Sequence, residues 1–215
     1  MNNSFELLEA LKNANLLQDA TDVNWWPNSG SFEVVVGAIL TQQTKWEKVE
    51  KSLNNLRDNN LLDLEKLTNI DTKTLATLIK PSGFYNTKAK RLSTLCRKII
   101  EEFGDFENFK TSVNREWILE QKGVGQESAD AILCYACERE VLVVDNYTNK
   151  ILKEFGYEFD SYEEIQQWMV QGILENMDRV DKLYECKLNL STIYSRFHGK
   201  IVEFGKSKKD IKDLF

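Results

Sequence analysis

An all-α fold follows from three features of this 215-residue sequence. Apolar residues recur at spacings of three and four through most of the chain, the period of a helix with one buried face. The chain holds only 2 prolines and 10 glycines among long stretches of Leu, Lys, Glu and Asn, so helix breakers are scarce. The one run that looks like a strand, 141-VLVV-144, has no evident partner and reads as a buried connector.

The elements follow in order. Phe5, Leu8 and Leu11 open a first helix. Phe32, Val35, Val36, Ile39 and Leu40 make a second, apolar nearly all round and therefore central. Val49, Leu53 and Leu56 mark a third, and short helices are expected around 63–69 and 72–79. Beyond the turn 81-PSGFYN-86, Ala89, Leu92, Leu95, Ile99 and Ile100 carry another. Val113, Trp117 and Ile118 precede a glycine turn; Ala129, Ile132, Leu133 and Ala136 follow it. After Asp145 come a helix to about Phe155, one from Tyr162 to about Leu174, and a long last one from about Val180 to Phe204.

Composition narrows the function. Hydrophobic residues at 42% and charged ones at 29% describe an ordinary globular chain and exclude disorder. The N-terminal stretch lacks the basic start and apolar core of a signal peptide. No run reaches the ~18 apolar residues of a membrane span. Cys96, Cys134, Cys137 and Cys186 are scattered, as reduced thiols would be, so a cytoplasmic protein with no metal is expected. The net charge of −6 speaks against nucleic acid as partner, but basic residues gather at 87-TKAKR-91 and 206-KSKK-209.

The segment 121-QKGVGQESADAILCYA-136 joins two helices through a tight turn. Glycine tolerates the positive φ such a turn demands and lets another backbone approach closely. Past Gly125, the first amides of the next helix point outward unpaired and form an anion site. A phosphate held there needs few lysines, which weakens the objection from charge. An ordinary helix hairpin with no ligand remains the simpler reading of a lone G-V-G.

More than the hairpin matches. The turn resembles the helix-hairpin-helix of DNA glycosylases of the endonuclease III superfamily, where L-P-G-V-G is followed by a polar residue, a lysine in the lyases, a small residue and Ala. Gly123, Val124, Gly125, Gln126 and Ala129 fall on that pattern, whereas Gln121 and Lys122 depart from its Leu-Pro. The superfamily's catalytic aspartate lies about twenty residues after the second glycine, which implies Asp145. In 38-AILTQQTKWEKVEKSL-53, Gln43 takes the place of a glutamine that enters the DNA stack. In 83-GFYNTKAKRL-92, Phe84 takes that of an apolar wedge, beside Tyr85, Asn86 and Lys88 as further DNA contacts.

The resemblance also implies which chemistry. Bifunctional members carry a lysine two residues after the second glycine; here Glu127 stands there, and a carboxylate forms no imine. The four closely spaced cysteines that hold an iron–sulfur cluster are missing, since the last stretch has only Cys186. Cys134 and Cys137 read as buried structural thiols.

With 25-WWP-27 and 196-RFHGKIVEF-204, the chain is similar to the cluster-free, endonuclease III-like 3-methyladenine DNA glycosylases. That branch implies two helical lobes, residues 1–28 plus 141–215 and residues 29–140, the second containing the hairpin at about 113–137, with the active site in the cleft between them. Trp25, Trp26, Pro27 and Trp46 would line the base pocket with Lys200 and Lys206, and Lys200 matches a lysine that is carbamylated in that branch. A flipped base needs stacking faces, and a cationic one gains ~0.5–2 kcal/mol from them. The implied protein is a monomer acting on double-stranded DNA with alkylated bases, with Asp145 stabilising an oxocarbenium-like sugar or activating water. Asp145 also suits a helix N-cap, and His198, the single histidine, reads as structural. A glycosylase with lyase activity and a non-catalytic helix-hairpin-helix DNA-binding protein stay open as alternatives.

Overall fold

The computed structural model describes residues 1–17, 24–207 and 209–215; residues 18–23 of the expected terminal lobe and Lys208 of the basic cluster lie outside the described residues. The helices are α1 (Ser4–Asn13), α2 (Phe32–Leu40), α3 (Trp46–Asp58), α4 (Leu64–Asn69), α5 (Thr72–Leu78), α6 (Tyr85–Phe103), α7 (Phe106–Ser112), α8 (Arg115–Leu119), α9 (Gln126–Ala131), α10 (Asn146–Glu154), α11 (Tyr162–Leu174), α12 (Met177–Tyr184) and α13 (Leu190–Ser207). A π-helical turn, Ile132–Ala136, continues α9. No strand occurs among the described residues, so the fold is all-α.

Polar residues start most of these helices for a local reason. The side chains of Asn3, Asp63, Asp71, Asp105, Asn114, Asp145 and Ser161 each accept a backbone N–H of the first turn that has no partner within the helix.

The chain forms two units, Met1–Pro27 with Arg139–Phe215, and Asn28–Glu138. In the first, α1 packs on α11 and α13, and α10 on α13. Their shared core includes Phe5, Leu8, Leu11, Met169, Ile173, Phe197 and Ile201. In the second, α2 is buried along nearly its whole length against α3, α6 and the π-helical turn, as its all-round apolar sequence requires. Truncating a fully buried residue such as Ile39 to Ala would cost about 2–5 kcal/mol.

Two sequence expectations change. The long last helix is broken: α12 ends at Glu185, in a left-handed conformation at φ 56°, and α13 begins afresh where Asn189 accepts the Thr192 N–H at 2.8 Å. Residues 185–189 separate the two helices, and the Asn189 cap wins over continued periodicity. The other change is α7, absent from the sequence reading. It is one short helix started by Asp105 and anchored by buried Phe109.

The connector 141–144 pairs with no strand among the described residues, and two of its backbone groups bond to side chains of α11. The Val144 N–H donates to the Tyr162 hydroxyl (3.2 Å), and Gln166 Nε2 donates to the Leu142 carbonyl (2.6 Å). With Leu142, Val143 and Val144 buried, the connector delivers Asp145 to one defined place.

Candidate active site

Asp145 caps α10. Its Oδ1 accepts from the Thr148 N–H at 2.8 Å and from the Thr148 hydroxyl at 2.9 Å, and the Asp145 N–H donates to Thr148 Oγ1 at 3.4 Å, which completes a reciprocal capping box. Its Oδ2 lies 3.9 Å from His198 Nε2, and both side chains are nearly covered, at 10% and 6% exposure. One carboxylate oxygen thus builds the helix start while the other is turned toward α13.

His198, expected to be structural, is buried. It stands between the aspartate and the aromatic wall, with the Trp25 ring edge-on at 5.5 Å. Burial pulls its pKa below the ordinary value and Lys206 adds to this, while Asp145 opposes both. The imidazole is therefore neutral near pH 7 and adds no positive charge beside Asp145. Its place two residues before Lys200, on the buried face of α13, is the one signal that the sequence offered.

Around His198, α13 is shaped to hold aromatic rings. A Cβ on Gly199 would stand 2.4 Å from Trp25 Cγ, and one on Gly205 would stand 2.2 Å from the Tyr147 ring. Trp25, itself left-handed at φ 68°, is half-buried. Trp26 is 8% exposed and meets Trp25 at a right angle, 6.3 Å between centroids. Of the pair, Trp25 is the more exposed. Pro27 is exposed. Lys206 Nζ lies 5.8 Å above the Trp25 centroid and pairs with Glu203 at 2.9 Å. Asp145, His198, Trp25 and Lys206 are thereby brought together within one unit.

Lys200 is 1% exposed, and its Nζ donates to the Leu16 carbonyl at 3.0 Å. Burial, then the charges of Arg196 and Lys12, push its amine down to about 8.

The remaining candidates belong to the unit 28–138. Trp46, half-buried, opens α3. Gln43 and Phe84 are exposed, Phe84 at 67%, and both are left-handed, at φ 53° and 44°. Tyr85 and Asn86 form the first turn of α6. Lys88 departs from its expected role as a DNA contact. It is 2% exposed, and its ammonium donates to the Leu40 carbonyl (2.7 Å), Thr44 Oγ1 (2.8 Å) and the Ser82 carbonyl (2.9 Å). Three protons meet three protein acceptors, so none is available to a phosphate.

In the hairpin, Arg115 grips the fully buried Asp130 in a two-point ion pair, Nε to Oδ1 at 2.7 Å and Nη2 to Oδ2 at 3.2 Å, locking α8 to α9. The positive φ belongs to Gly123, at 85°, and not to Gly125, which caps α9 at φ −97°. Nothing stands within 4 Å of a Cβ built at Gly125, so the space in front of it is open. Val124 is buried, while Gln126 and the exposed Glu127 start α9.

Cys134 and Cys137 are both buried, and burial raises the Cys134 thiol above its ordinary value. Among the described residues, no group of three or more His, Cys, Asp or Glu gathers as a metal would require. No helix there is long and apolar enough to cross a membrane.

Comparisons with known proteins agree with the all-helical fold. A crystal structure of the Helicobacter pylori 3-methyladenine DNA glycosylase MagIII bound to 1,N6-ethenoadenine superposes with a TM-score of 0.93 at 50% identity, covering 97% of this chain and 99% of that one. A Methanocaldococcus jannaschii protein named "Putative DNA repair glycosylase" is 38% identical over 95% of this chain and 89% of its own length. A trapped endonuclease III–DNA covalent intermediate shares the fold at 18% identity and a TM-score of 0.72, over 96% of this chain and 88% of that one. Residues 36–172 match the family described as HhH-GPD superfamily base excision DNA repair protein, and the chain belongs to that family.

Proposed function

We propose that the chain is a monofunctional DNA glycosylase that hydrolyses the N-glycosidic bond of alkylated bases, 3-methyladenine foremost, in double-stranded DNA. The observation that carries this is the split use of Asp145. Oδ1 is committed to the α10 cap, and Oδ2 faces the group formed by His198 and Trp25.

Alkylation at N3 gives the adenine a positive charge and makes it a good leaving group before any enzyme acts. An indole face such as that of Trp25 suits such a base, with Trp26 packed against it. As the bond to the base breaks, positive charge grows on the sugar, and Asp145 Oδ2 stabilises it and takes the proton of the attacking water. Neutral adenine has neither the charge nor the weakened bond. Glu127 stands where a lyase has its amine, so hydrolysis ends at an intact abasic strand.

Gln43 and Phe84 fill the space that a flipped nucleotide leaves, and the hairpin around Gly123 and Gly125 holds phosphate through main-chain amides other than that of Val124, which donates to the Gln121 carbonyl at 3.0 Å. Lys200 suits a carbamate: its desolvated amine, pushed down to about 8, has a far larger neutral fraction than an ordinary lysine, and the product's negative charge would face Arg196 and Lys12 instead of repelling them. Working on genomic DNA, the protein would act as a monomer in the cytoplasm.

The test is base release from a duplex treated with a methylating agent, the released base identified by chromatography. Free 3-methyladenine with no strand break is expected. A folded protein that releases no alkylated base would overturn the reading.

A further inference from the structure

The three loops expected to meet DNA are tied to one face of α6. Lys88 reaches the last carbonyl of α2 at Leu40, the hydroxyl of Thr44 just after Gln43, and the carbonyl of Ser82 two residues before Phe84. Thr44 Oγ1 in turn donates to that same Ser82 carbonyl at 2.6 Å, so the two loops are joined directly as well. One turn along α6, Arg91 Nη1 donates to Gln42 Oε1 at 2.8 Å. Gln42 Nε2 passes the connection to the hairpin, donating to the Gly123 carbonyl and to Ser128 Oγ, each at 3.0 Å. Arg91 packs so close to Gly123 that a Cβ there would stand 2.2 Å from its Nε.

Gln43 and Phe84 hold left-handed backbones that cost free energy in non-glycine residues and persist only where the surroundings over-determine them. The links from Lys88 and Arg91 supply that constraint. Burying an ammonium is itself expensive, and an apolar side chain would fill the space more cheaply.

We propose that Lys88, together with Arg91 and Gln42, is a positioning residue that holds Gln43 and Phe84 in fixed register with the hairpin, so that both enter the DNA stack at once. This rests on the glycosylase reading. Lys88 touches no DNA in it, and acts through the two residues that do.

The experiment measures affinity for an abasic-site duplex by fluorescence anisotropy, at several salt concentrations. Lys88→Met should bind about tenfold to 10²-fold more weakly, the scale of a misplaced positioning group. On a Gln43→Ala/Phe84→Ala background the same change should cost little more, because the residues it positions are gone. The salt slope should stay that of the wild type, since no phosphate contact is lost. Losses that simply add, unchanged affinity in a folded variant, or a slope lower by about one would each overturn the positioning role. Should circular dichroism show Lys88→Met unfolded, Thr44→Val, which removes one of the three acceptors, is put through the same cycle. A wild type that binds the duplex beside an unaffected variant defeats only this inference; a wild type that binds no abasic duplex defeats the function reading too.

Discussion

Gly199 and Trp25 are packed so closely that a single methyl group cannot stand between them: a Cβ on Gly199 would lie 2.4 Å from Trp25 Cγ and 2.6 Å from Cδ2. The position of the indole is thus set by the absence of a side chain on α13. Gly199→Ala should displace Trp25, raising KM for excision with little change in kcat, because Asp145 is untouched. Overpacking costs about 1–3 kcal/mol, so melting should confirm a folded variant first. A KM equal to that of the wild type would show that Trp25 does not bind the base.

Asp145→Asn keeps an oxygen for the Thr148 N–H and should preserve the cap, while removing the charge from Oδ2. Excision is expected to fall by ~10²-fold or more, with binding to an abasic duplex retained. Comparable loss of both binding and excision would mean that the residue matters only as a cap.

The two hairpin glycines should respond differently. Gly123→Ala meets both a positive φ of 85° and the Arg91 guanidinium, whereas Gly125→Ala meets neither. Thermal melting should show Gly123→Ala destabilised by about 1–3 kcal/mol, with Gly125→Ala close to the wild type. Weaker DNA binding by a stable Gly125→Ala would then report the occupied open front of the turn. Equal destabilisation of the two would refute the assignment of roles.

Strand cleavage separates hydrolysis from lyase chemistry. Glu127 carries no amine, and Lys88 is engaged by three acceptors. Borohydride added during turnover should trap no protein–DNA crosslink. A crosslink abolished by replacing one lysine would identify a lyase.

Lys200 gives a pH dependence of definite sign. Its amine titrates at about 8 in the fold and at the ordinary 10.5 when unfolded. Between these values the unfolded chain binds the extra proton, so stability should rise with pH across that window, relative to Lys200→Met. In the same window the neutral amine can take up carbon dioxide. Bicarbonate should raise the melting temperature of the wild type and produce a carbamate carbonyl signal in carbon NMR. The same gain in Lys200→Met would rule carbamylation out.

Much of this was legible along the chain because helices are local. Spacing of three and four in Phe32–Leu40 demands a buried helix wherever it lies, and a polar cap such as Asp145 or Asp71 marks a helix start by bonding within its own first turn. G-V-G, W-W-P and the aspartate after 141-VLVV-144 are equally local, which is why the family could be read from them. The break between α12 and α13 coincides with Asn189, whose side chain accepts the Thr192 N–H.

What only the tertiary structure decided depends on groups far apart in sequence. Lys88 looks like any exposed basic residue of 87-TKAKR-91 until the fold brings Leu40, Thr44 and Ser82 to its ammonium. His198 looks like core until Asp145 and Trp25 arrive on either side of it. Gly199 has an unremarkable backbone, and its necessity lies in a ring 174 residues earlier in the chain at Trp25. Each role is fixed by which acceptors, charges or rings stand within a few ångströms, and a one-dimensional pattern holds no such distances.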